Sequence, residues 1–336
     1  MSNELCRSIV LRRRPAAEPD PADFEIVESA IPIPGPGEVV TRAIFLSIDP
    51  YQRGRLWDRK SYAAPVQLGE VMTGETIGAV VASGDPAFAV GDIASGARGW
   101  QSHSLTPASQ LVKHVRAAAP LSTYLGVLGM PGTTAYSGMK DIGQVKAGET
   151  VVISAASGAV GSVAGQLAKR AGARVIGIAG GPDKCLWVQE ELGFDACIDH
   201  RSANMGMQLA DTCPDGIDVY FENVGGSVQE AVFPLMNPFG RIIMCGMVAQ
   251  YNDPNPPPGP NLSTVVGKRL RIQGLIVSDH PERFAEWRAL AEPWVKEGSL
   301  RYRETVFDGL ENAPEAFCSL LQGGNFGKML VRVGPN

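Results

Sequence analysis

A run of small residues after an apolar stretch carries the clearest chemical pattern in the sequence. Ala156, Gly158 and Gly161 follow the strand-like TVVIS and open the helix-like VGSVAGQLAKRAG, which is the G-x-G-x-x-G spacing with Ala in the first place. The N–H groups at a helix N-terminus bind a pyrophosphate when no side chain blocks the approach. The pattern therefore predicts a dinucleotide site, and the alternative is a tight strand-to-helix turn without a ligand.

The next strand-like run ends in GIAGGPDK, with glycines at 180–181 where an NAD site places an acid for the ribose 2′-hydroxyl. Glycine leaves room for a 2′-phosphate there. Lys184 follows within one helical turn, and His200 and Arg201 follow the third strand beside the same corner. A cationic cluster without the ribose acid predicts NADP as the cofactor. Asp183 is either the N-cap of the next helix, which we favour, or a displaced ribose acid.

These residues sit in a sequence whose rhythm changes near residue 150. Before it, EVVTRAIFLSIDP and TIGAVVAS are β-branched runs bounded by Pro and Gly, which is typical of strands. After it, apolar runs alternate with helical patterns, which predicts an α/β fold with a parallel doubly wound sheet of about six strands. The C-terminal KMLVRVG is strand-like again, so we expect the α/β unit to be inserted into a β-rich one.

A Pro-rich segment, QYNDPNPPPGPNLS at 250–263, follows one of the core strands. Its prolines cannot pair in a central strand. We expect it to cover a ligand as a lid or pocket wall, in preference to being a rigid surface connection.

Composition excludes several classes of protein. The 336 residues carry 30 basic and 35 acidic side chains, a net charge of −5, which lacks the basic footprint of a nucleic-acid binder. No apolar run approaches the ~18 residues of a membrane span, and there is no signal-peptide pattern. The six cysteines form no C-x-x-C pair, which predicts neither structural zinc nor a disulfide framework. We expect a cytoplasmic protein without nucleic-acid or membrane partners.

The sequence is similar along essentially its whole length to the zinc-independent alkenal/enone reductases, the prostaglandin, leukotriene and curcumin reductases of the medium-chain dehydrogenase/reductase superfamily. The resemblance rests, in this order, on SIDPYQRGR, GEVMTGETIG, LGMPGTTAYSGM, AASGAVGSVAGQLAK, GGPDKC, FENVGG, CGMVAQYN, PPPGP and NFGKMLVRV. It implies a Rossmann doubly wound parallel sheet inserted into a β-rich, GroES-like catalytic domain. Residues 1–123 and 301–336 would form the catalytic domain, and residues 124–300 the NADP-binding domain. It also implies a homodimer, in which an edge strand such as RIQGLIV extends the sheet across a two-fold axis.

Zinc alcohol dehydrogenases resemble this chain too, but they carry a ligand His in an H-E-x-x-G run and a ligand Cys three residues before an Asp. Here Gly74 stands in place of that His, and Leu46 precedes Asp49. Neither residue can bind a metal, so we predict no metal site. Without a Lewis acid, hydride delivery to a conjugated alkene is favoured over alcohol oxidation, because hydrogen bonds can hold the enolate that forms.

The resemblance also assigns coenzyme roles to individual residues. Gly158, Ala159, Val160 and Gly161 are expected to hold the pyrophosphate, and Lys184 the 2′-phosphate. Relatives often have a Tyr and a basic residue after the third strand, and this chain has His200 and Arg201 there. The residues expected to border the ribose and nicotinamide are Thr134, Asn223, Cys245, Gly246 and Asn325.

Substrate contacts follow from the same resemblance. Tyr251 matches the tyrosine proposed in this family to hydrogen-bond the substrate carbonyl or the nicotinamide, and a neutral phenol can stabilise an enolate. Tyr51 matches a residue of the substrate pocket, and Trp100 is a further pocket candidate. The alternatives are boundary packing for the two tyrosines and a core position for Trp100. For His103 we favour an ordinary hydrogen-bonded histidine, and for Glu222 a backbone-orienting carboxylate over a base.

The expected activity is therefore an NADPH-dependent, metal-free reduction of the C=C bond of α,β-unsaturated ketones and aldehydes. The hydride adds to the β-carbon, Tyr251 and the nicotinamide ribose 2′-hydroxyl stabilise the carbonyl oxygen, and solvent protonates the α-carbon. One alternative is zinc-free quinone reduction, although CGMVAQYN and PPPGP favour the alkenal branch. The other is an NADPH-binding protein without turnover, against which the presence of the pocket tyrosine argues.

Overall fold

The computed structural model describes residues 4–116 and 118–335. The chain divides into a first unit, Met1–Gly126 with Glu304–Asn336, and a second unit, Val127–Arg303. The domain boundaries predicted from the sequence refer to parts of the chain that fold independently of each other. They stay a prediction. In the described ranges, no helix combines the length and the apolarity needed to cross a bilayer.

The regular structure consists of strands and α-helices joined by short 3₁₀ turns. The strands are β1 (Cys6–Leu11), β2 (Phe24–Ser29), β3 (Glu38–Ile48), β4 (Glu75–Ser83), β5 (Ile93–Arg98), β6 (His103–Pro107), β7 (Val112–His114), β8 (Thr150–Ser154), β9 (Arg174–Ala179), β10 (Ala196–Asp199), β11 (Ile217–Glu222), β12 (Met236–Met244), β13 (Arg271–Gly274), β14 (Glu304–Asp308) and β15 (Lys328–Arg332). The α-helices are α1 (Met130–Ser137), α2 (Gly161–Arg170), α3 (Pro182–Glu190), α4 (Met205–Thr212), α5 (Gly226–Val232), α6 (Ser263–Lys268), α7 (Glu282–Lys296) and α8 (Ala313–Leu321).

Two sheets build the first unit. β1 and β2 form an antiparallel ribbon, and a larger mixed sheet has the order β14-β15-β3-β4-β5-β7, with β6 also paired to β3. β3 is buried at nearly every position because it pairs with three other strands. β15 lies between β14 and β3 and runs antiparallel to β3. The final strand of the chain therefore completes a sheet that the N-terminal strands begin.

The second unit is the doubly wound sheet that the alternation of patterns predicts. Its six strands pair in parallel in the order β10-β9-β8-β11-β12-β13. β8 and β9 are buried along almost their whole length, as expected where helices cover both faces of a parallel sheet. The winding reverses between β8 and β11, and ligands of such sheets bind at the carboxyl ends of the strands that flank this point. β13 is an exposed edge strand and is shorter than the RIQGLIV run that predicted it.

Candidate functional site

The turn between β8 and α2 has the geometry of a phosphate cradle. Ala155 adopts a left-handed conformation with a φ of 49°, and α2 begins at Gly161. A Cβ atom on Gly161 would collide with the carbonyl oxygen of Ala155, so glycine is required for the helix to start this close to the strand. Gly158, Ala159 and Val160 are partly exposed just before it. The predicted pyrophosphate residues thus lie where the first N–H groups of a helix stabilise an anion.

Three basic side chains surround the end of β9 in what we call the phosphate corner, which consists of Gly180, Gly181, Lys184, His200 and Arg201. A Cβ atom on Gly180 would lie 2.8 Å from His200 Nε2, and one on Gly181 would lie 3.3 Å from Arg201 Nη1. Burial lowers the pKa of Lys184 and of His200, and the charge of Arg201 adds to both decreases. An anion bound here would relieve this repulsion, as the predicted 2′-phosphate requires.

Two acids lie near the phosphate corner. Asp199 Oδ1 accepts hydrogen bonds from the N–H of Arg201 (3.0 Å) and from that of Gly181 (2.9 Å), and these bonds lower the pKa of Asp199. The carboxylate therefore holds the backbone of the corner in place. Asp183 is the second residue of α3, whose N-cap is Gly181. The N-cap prediction for Asp183 is wrong, and its charge instead lies in the first turn, where the helix dipole favours it.

A second cluster lies at the carboxyl end of β11. Oε1 of the buried Glu222 accepts hydrogen bonds from the N–H of Val224 (2.7 Å), the N–H of Gly225 (3.0 Å) and Ser154 Oγ (3.0 Å). Ser154 Oγ accepts one from the N–H of Asn223 (2.8 Å), and Asn223 Nδ2 donates to the Ser154 carbonyl (2.7 Å). Glu222 thus orients backbone groups and the neighbouring Asn223.

The end of β12 joins this cluster through Cys245, Gly246 and Tyr251. The N–H groups of Cys245 and Gly246 donate to the carbonyl of Glu222, at 2.9 and 3.1 Å. A Cβ atom on Gly246 would lie 3.1 Å from Tyr251 Oη, which accepts a hydrogen bond from the N–H of Met247 (3.3 Å). Burial raises the pKa of Cys245 to about 12, so this thiol stays protonated near neutral pH.

Three further predicted residues are engaged within their own units. In the second unit, Thr134 Oγ1 donates to the carbonyl four residues earlier in α1 (2.8 Å). In the first unit, Asn325 Nδ2 donates to the carbonyl two residues later (2.8 Å), which shapes the turn before β15. Tyr51 lies in the helical turn Pro50–Leu56 of the first unit, where burial and then the charge of Asp49 raise its pKa, so it is a neutral phenol.

Trp100 is a core residue of the first unit. Its ring centroid lies 5.5 Å from that of Phe24 and 5.6 Å from that of Phe317. Its exposed fraction is 0%, so the substrate contact predicted for Trp100 has no accessible surface to act through. A Cβ atom on Gly74 would lie 2.8 Å from the Trp100 ring and 3.0 Å from Gln52 Nε2. The space that a ligand His at position 74 would need is therefore already filled.

Three features of the site were missed by sequence reasoning. Ser154 and Asp199 are the last residues of β8 and β10, and polar residues at the carboxyl ends of parallel strands were the available indication. Cys185 and Cys197 lie on α3 and β10, and their thiols hydrogen-bond each other. Their separation in the sequence gives no indication of this contact.

Comparison with known families assigns both units of the chain. Residues 7–114 match the family described as "N-terminal domain of oxidoreductase", and residues 159–296 match "Zinc-binding dehydrogenase". Leu46 and Gly74 do not fit the metal in that second description. Across the described ranges, no group of three or more His, Cys, Asp or Glu side chains is placed to hold a metal ion.

Curated relatives match nearly the full chain. It is 47% identical over 333 residues to an NADPH-dependent curcumin reductase of Escherichia coli (strain K12), covering 97% of this chain and 96% of the relative. It is 39% identical over 335 residues to an NADP⁺-dependent 2-alkenal reductase of Nicotiana tabacum, covering 97% of each chain. The crystal structure of CurA from Vibrio vulnificus in complex with NADPH superposes with a TM-score of 0.94 at 46% identity, covering 98% of this chain and 100% of that one.

Proposed function

The chain belongs to the zinc-independent alkenal/enone reductase family of the medium-chain dehydrogenase/reductase superfamily, and on that premise we propose that it uses NADPH to reduce the C=C bond of α,β-unsaturated ketones and aldehydes. Relatives with 39–47% identity over nearly the whole chain are named for the reduction of curcumin and of 2-alkenals. The substrate class is thus small conjugated carbonyl compounds.

The observation that carries the proposal is the phosphate corner. Lys184, His200 and Arg201 converge on a glycine pair at the position where an NAD site has an acid. Because Lys184 and Arg201 repel each other, the corner favours an anionic group that distinguishes NADPH from NADH. The residues present therefore fit the coenzyme in the relatives' names.

The chain's own groups divide the work between binding and charge stabilisation. Bound NADPH would supply the hydride that reduces the β-carbon. The cradle at α2 holds a pyrophosphate, and Glu222 keeps Asn223 and the turn after β11 in a fixed conformation. We assign to the Tyr251 hydroxyl a hydrogen bond to the substrate carbonyl, where negative charge develops as the enolate forms. Solvent then protonates the α-carbon.

The test is a side-by-side assay with NADPH and NADH against a panel of alkenals, enones and quinones. We expect oxidation of NADPH with enones and recovery of the saturated carbonyl. Lys184→Ala should lower the preference for NADPH by about tenfold or more, since a charge-assisted contact contributes roughly 1.5–3 kcal/mol. Recovery of an allylic alcohol would overturn the regiochemistry. Turnover of quinones alone, or tight NADPH binding without turnover of any compound, would overturn the proposal.

Tyr251→Phe tests the assigned hydrogen bond separately. Loss of one donor to a developing oxyanion lowers kcat by about 10²-fold or more. The variant should keep the dissociation constant for NADPH, which controls for the hydrogen bond that Tyr251 accepts from the N–H of Met247. An unchanged kcat would show that another group holds the carbonyl.

A further inference from the structure

Cys185 and Cys197 lie against each other at the base of the phosphate corner. Cys185 is buried in the first turn of α3, Cys197 is half-buried in β10, and the two thiols hydrogen-bond each other. The proposed reduction uses neither thiol. Both cysteines are nevertheless close in sequence to residues of the phosphate corner, because Lys184 precedes Cys185 and His200 follows three residues after Cys197.

Packing around Gly177 explains why the thiols meet. Gly177 pairs with Cys197 in the register of β9 and β10. A Cβ atom at Gly177 would lie 3.1 Å from Cys197 Sγ and 2.9 Å from Val188 Cγ1. Val188 comes three residues after Cys185 in α3, so both point from the same face of that helix. The missing side chain at Gly177 therefore leaves room for Cys197 to face α3 and to meet Cys185.

We propose that Cys185 and Cys197 form an oxidisable dithiol, which hydroperoxides convert to a disulfide, and that this disulfide lowers the selectivity of the enzyme for NADPH. The first half of the proposal stands on the geometry of the pair. The second half rests on the proposed use of NADPH.

The chemistry assigns a different role to each sulfur. The hydrogen bond from Cys197 lowers the pKa of Cys185, whereas the pKa of Cys197 is raised, so Cys185 ionises first and Cys197 keeps its proton. The Cys185 thiolate attacks one peroxide oxygen, the O–O bond breaks, and the leaving oxygen takes a proton to become water. Cys197 sulfur then attacks the sulfenic acid of Cys185, the S–O bond breaks, and a second water leaves. Two thiols lose two electrons, and one hydrogen peroxide becomes two waters.

The disulfide acts on the phosphate corner through distance. A disulfide holds its sulfurs at about 2.05 Å, which is shorter than any hydrogen bond between thiols. Closing that gap displaces the first turn of α3 and the end of β10 relative to each other. Lys184 moves with the helix, and His200 and Arg201 move with the strand. The three basic side chains then no longer surround one position for the phosphate. NADH has no 2′-phosphate, and its binding should not respond.

The test treats the reduced full-length protein with a small excess of hydrogen peroxide and maps its thiols by mass spectrometry. We expect a cross-linked peptide pair containing Cys185 and Cys197, with the loss of two hydrogens, that dithiothreitol cleaves. Cys185→Ser and Cys197→Ser should each abolish it. Cys6→Ser is the matched control, because Cys6 also has a lowered pKa, about 7, yet lies in the first unit. Sulfinic or sulfonic acids at either site without a cross-link would overturn the proposal.

Steady-state kinetics test the second half of the proposal, that the disulfide lowers the selectivity of the enzyme for NADPH. Oxidation should raise KM for NADPH by about tenfold, the equivalent of one charge-assisted hydrogen bond, and leave KM for NADH unchanged. Reduction should restore both values, and Cys197→Ser should show no response. A disulfide that forms without changing the ratio of the two KM values would overturn the link to coenzyme selectivity. A reduced protein that already shows no preference for NADPH would instead refute the proposed function.

Discussion

Restoring an acid at the end of β9 should change the coenzyme that the enzyme prefers. Gly180 is the position for this change, because Gly181 has a φ of 98° that a side chain would strain. A carboxylate introduced by Gly180→Asp would approach His200 Nε2 and Arg201 Nε, since a Cβ atom at this position lies 2.8 and 3.6 Å from them. It would both repel a 2′-phosphate and neutralise the charge of Arg201 that attracts it.

The size of the effect follows from charge and exposure. Two unit charges about 4 Å apart interact by about 1 kcal/mol in water and about 4 kcal/mol at an effective dielectric constant of 20. Arg201 is exposed, so the lower part of this range applies, about 1–2 kcal/mol, or about 5- to 30-fold in kcat/KM for NADPH. NADH should gain about tenfold from a hydrogen bond between its ribose hydroxyl and the new carboxylate. The ratio of the two kcat/KM values should therefore shift by about 10²-fold.

The assay measures kcat/KM for both coenzymes with one saturating enone, at low and high salt. Gly180→Asn is the matched control, since it has nearly the same shape and meets His200 in the same way but carries no charge. The aspartate variant should lose its NADPH preference, the asparagine variant should keep most of it, and added salt should reduce the difference between them. Equal loss of the NADPH preference in both variants would show that Gly180 is needed only because it leaves space for the phosphate. Equal retention would refute the location of the 2′-phosphate.

Three further predictions concern the protonation of His200, a buried ion pair and the oligomeric state. The lowered pKa of His200 leaves it largely neutral in the free protein, and a 2′-phosphate would raise that pKa, so NADPH binding should take up a proton and weaken as the pH rises between the two values. Calorimetry in buffers of different ionisation enthalpy checks this, and His200→Gln should abolish the uptake. Lys328 and Asp49 form a buried ion pair at 3.1 Å. Lys328→Met or Asp49→Asn should each lower the free energy of unfolding by about 3–5 kcal/mol, because the remaining charge is left buried without a partner. The double variant Lys328→Met/Asp49→Leu should lower it by less, and denaturant titration measures all three values. The chain should be a homodimer through β13, which light scattering tests, and Ile272→Pro should produce monomers.

The doubly wound sheet was predictable because each of its strands is a short apolar run followed by a helical pattern. The register of those runs placed Gly180 and Lys184 at one strand end and His200 at the next, so their convergence followed from topology alone.

Other features depend on the directions of side chains, which the pattern of apolar and polar residues along the sequence does not predict. An apolar aromatic such as Trp100 has the same pattern in a pocket wall as in a core, and only its contacts with Phe24 and Phe317 decide between them. Asp183 satisfied the residue preference of an N-cap, but the helix begins one residue before it because Pro182 is favoured in the first turn. The meeting of Cys185 with Cys197 required the packing of α3 on β10, which no local rule predicts.

The position of β15 has a consequence for how the protein is made. The ribosome synthesises β3 and the whole second unit before it reaches Lys328–Arg332, the segment that fills the place between β14 and β3. The nucleotide-binding half can thus fold while β3, in the N-terminal half, still lacks its neighbouring strand β15. Sheet closure across so long a stretch of chain is slow, and an unpaired strand edge invites association with other chains. Loss of only residues 328–336, for instance by a late stop codon, should therefore harm the N-terminal half of the protein and spare the half that is nearer in sequence.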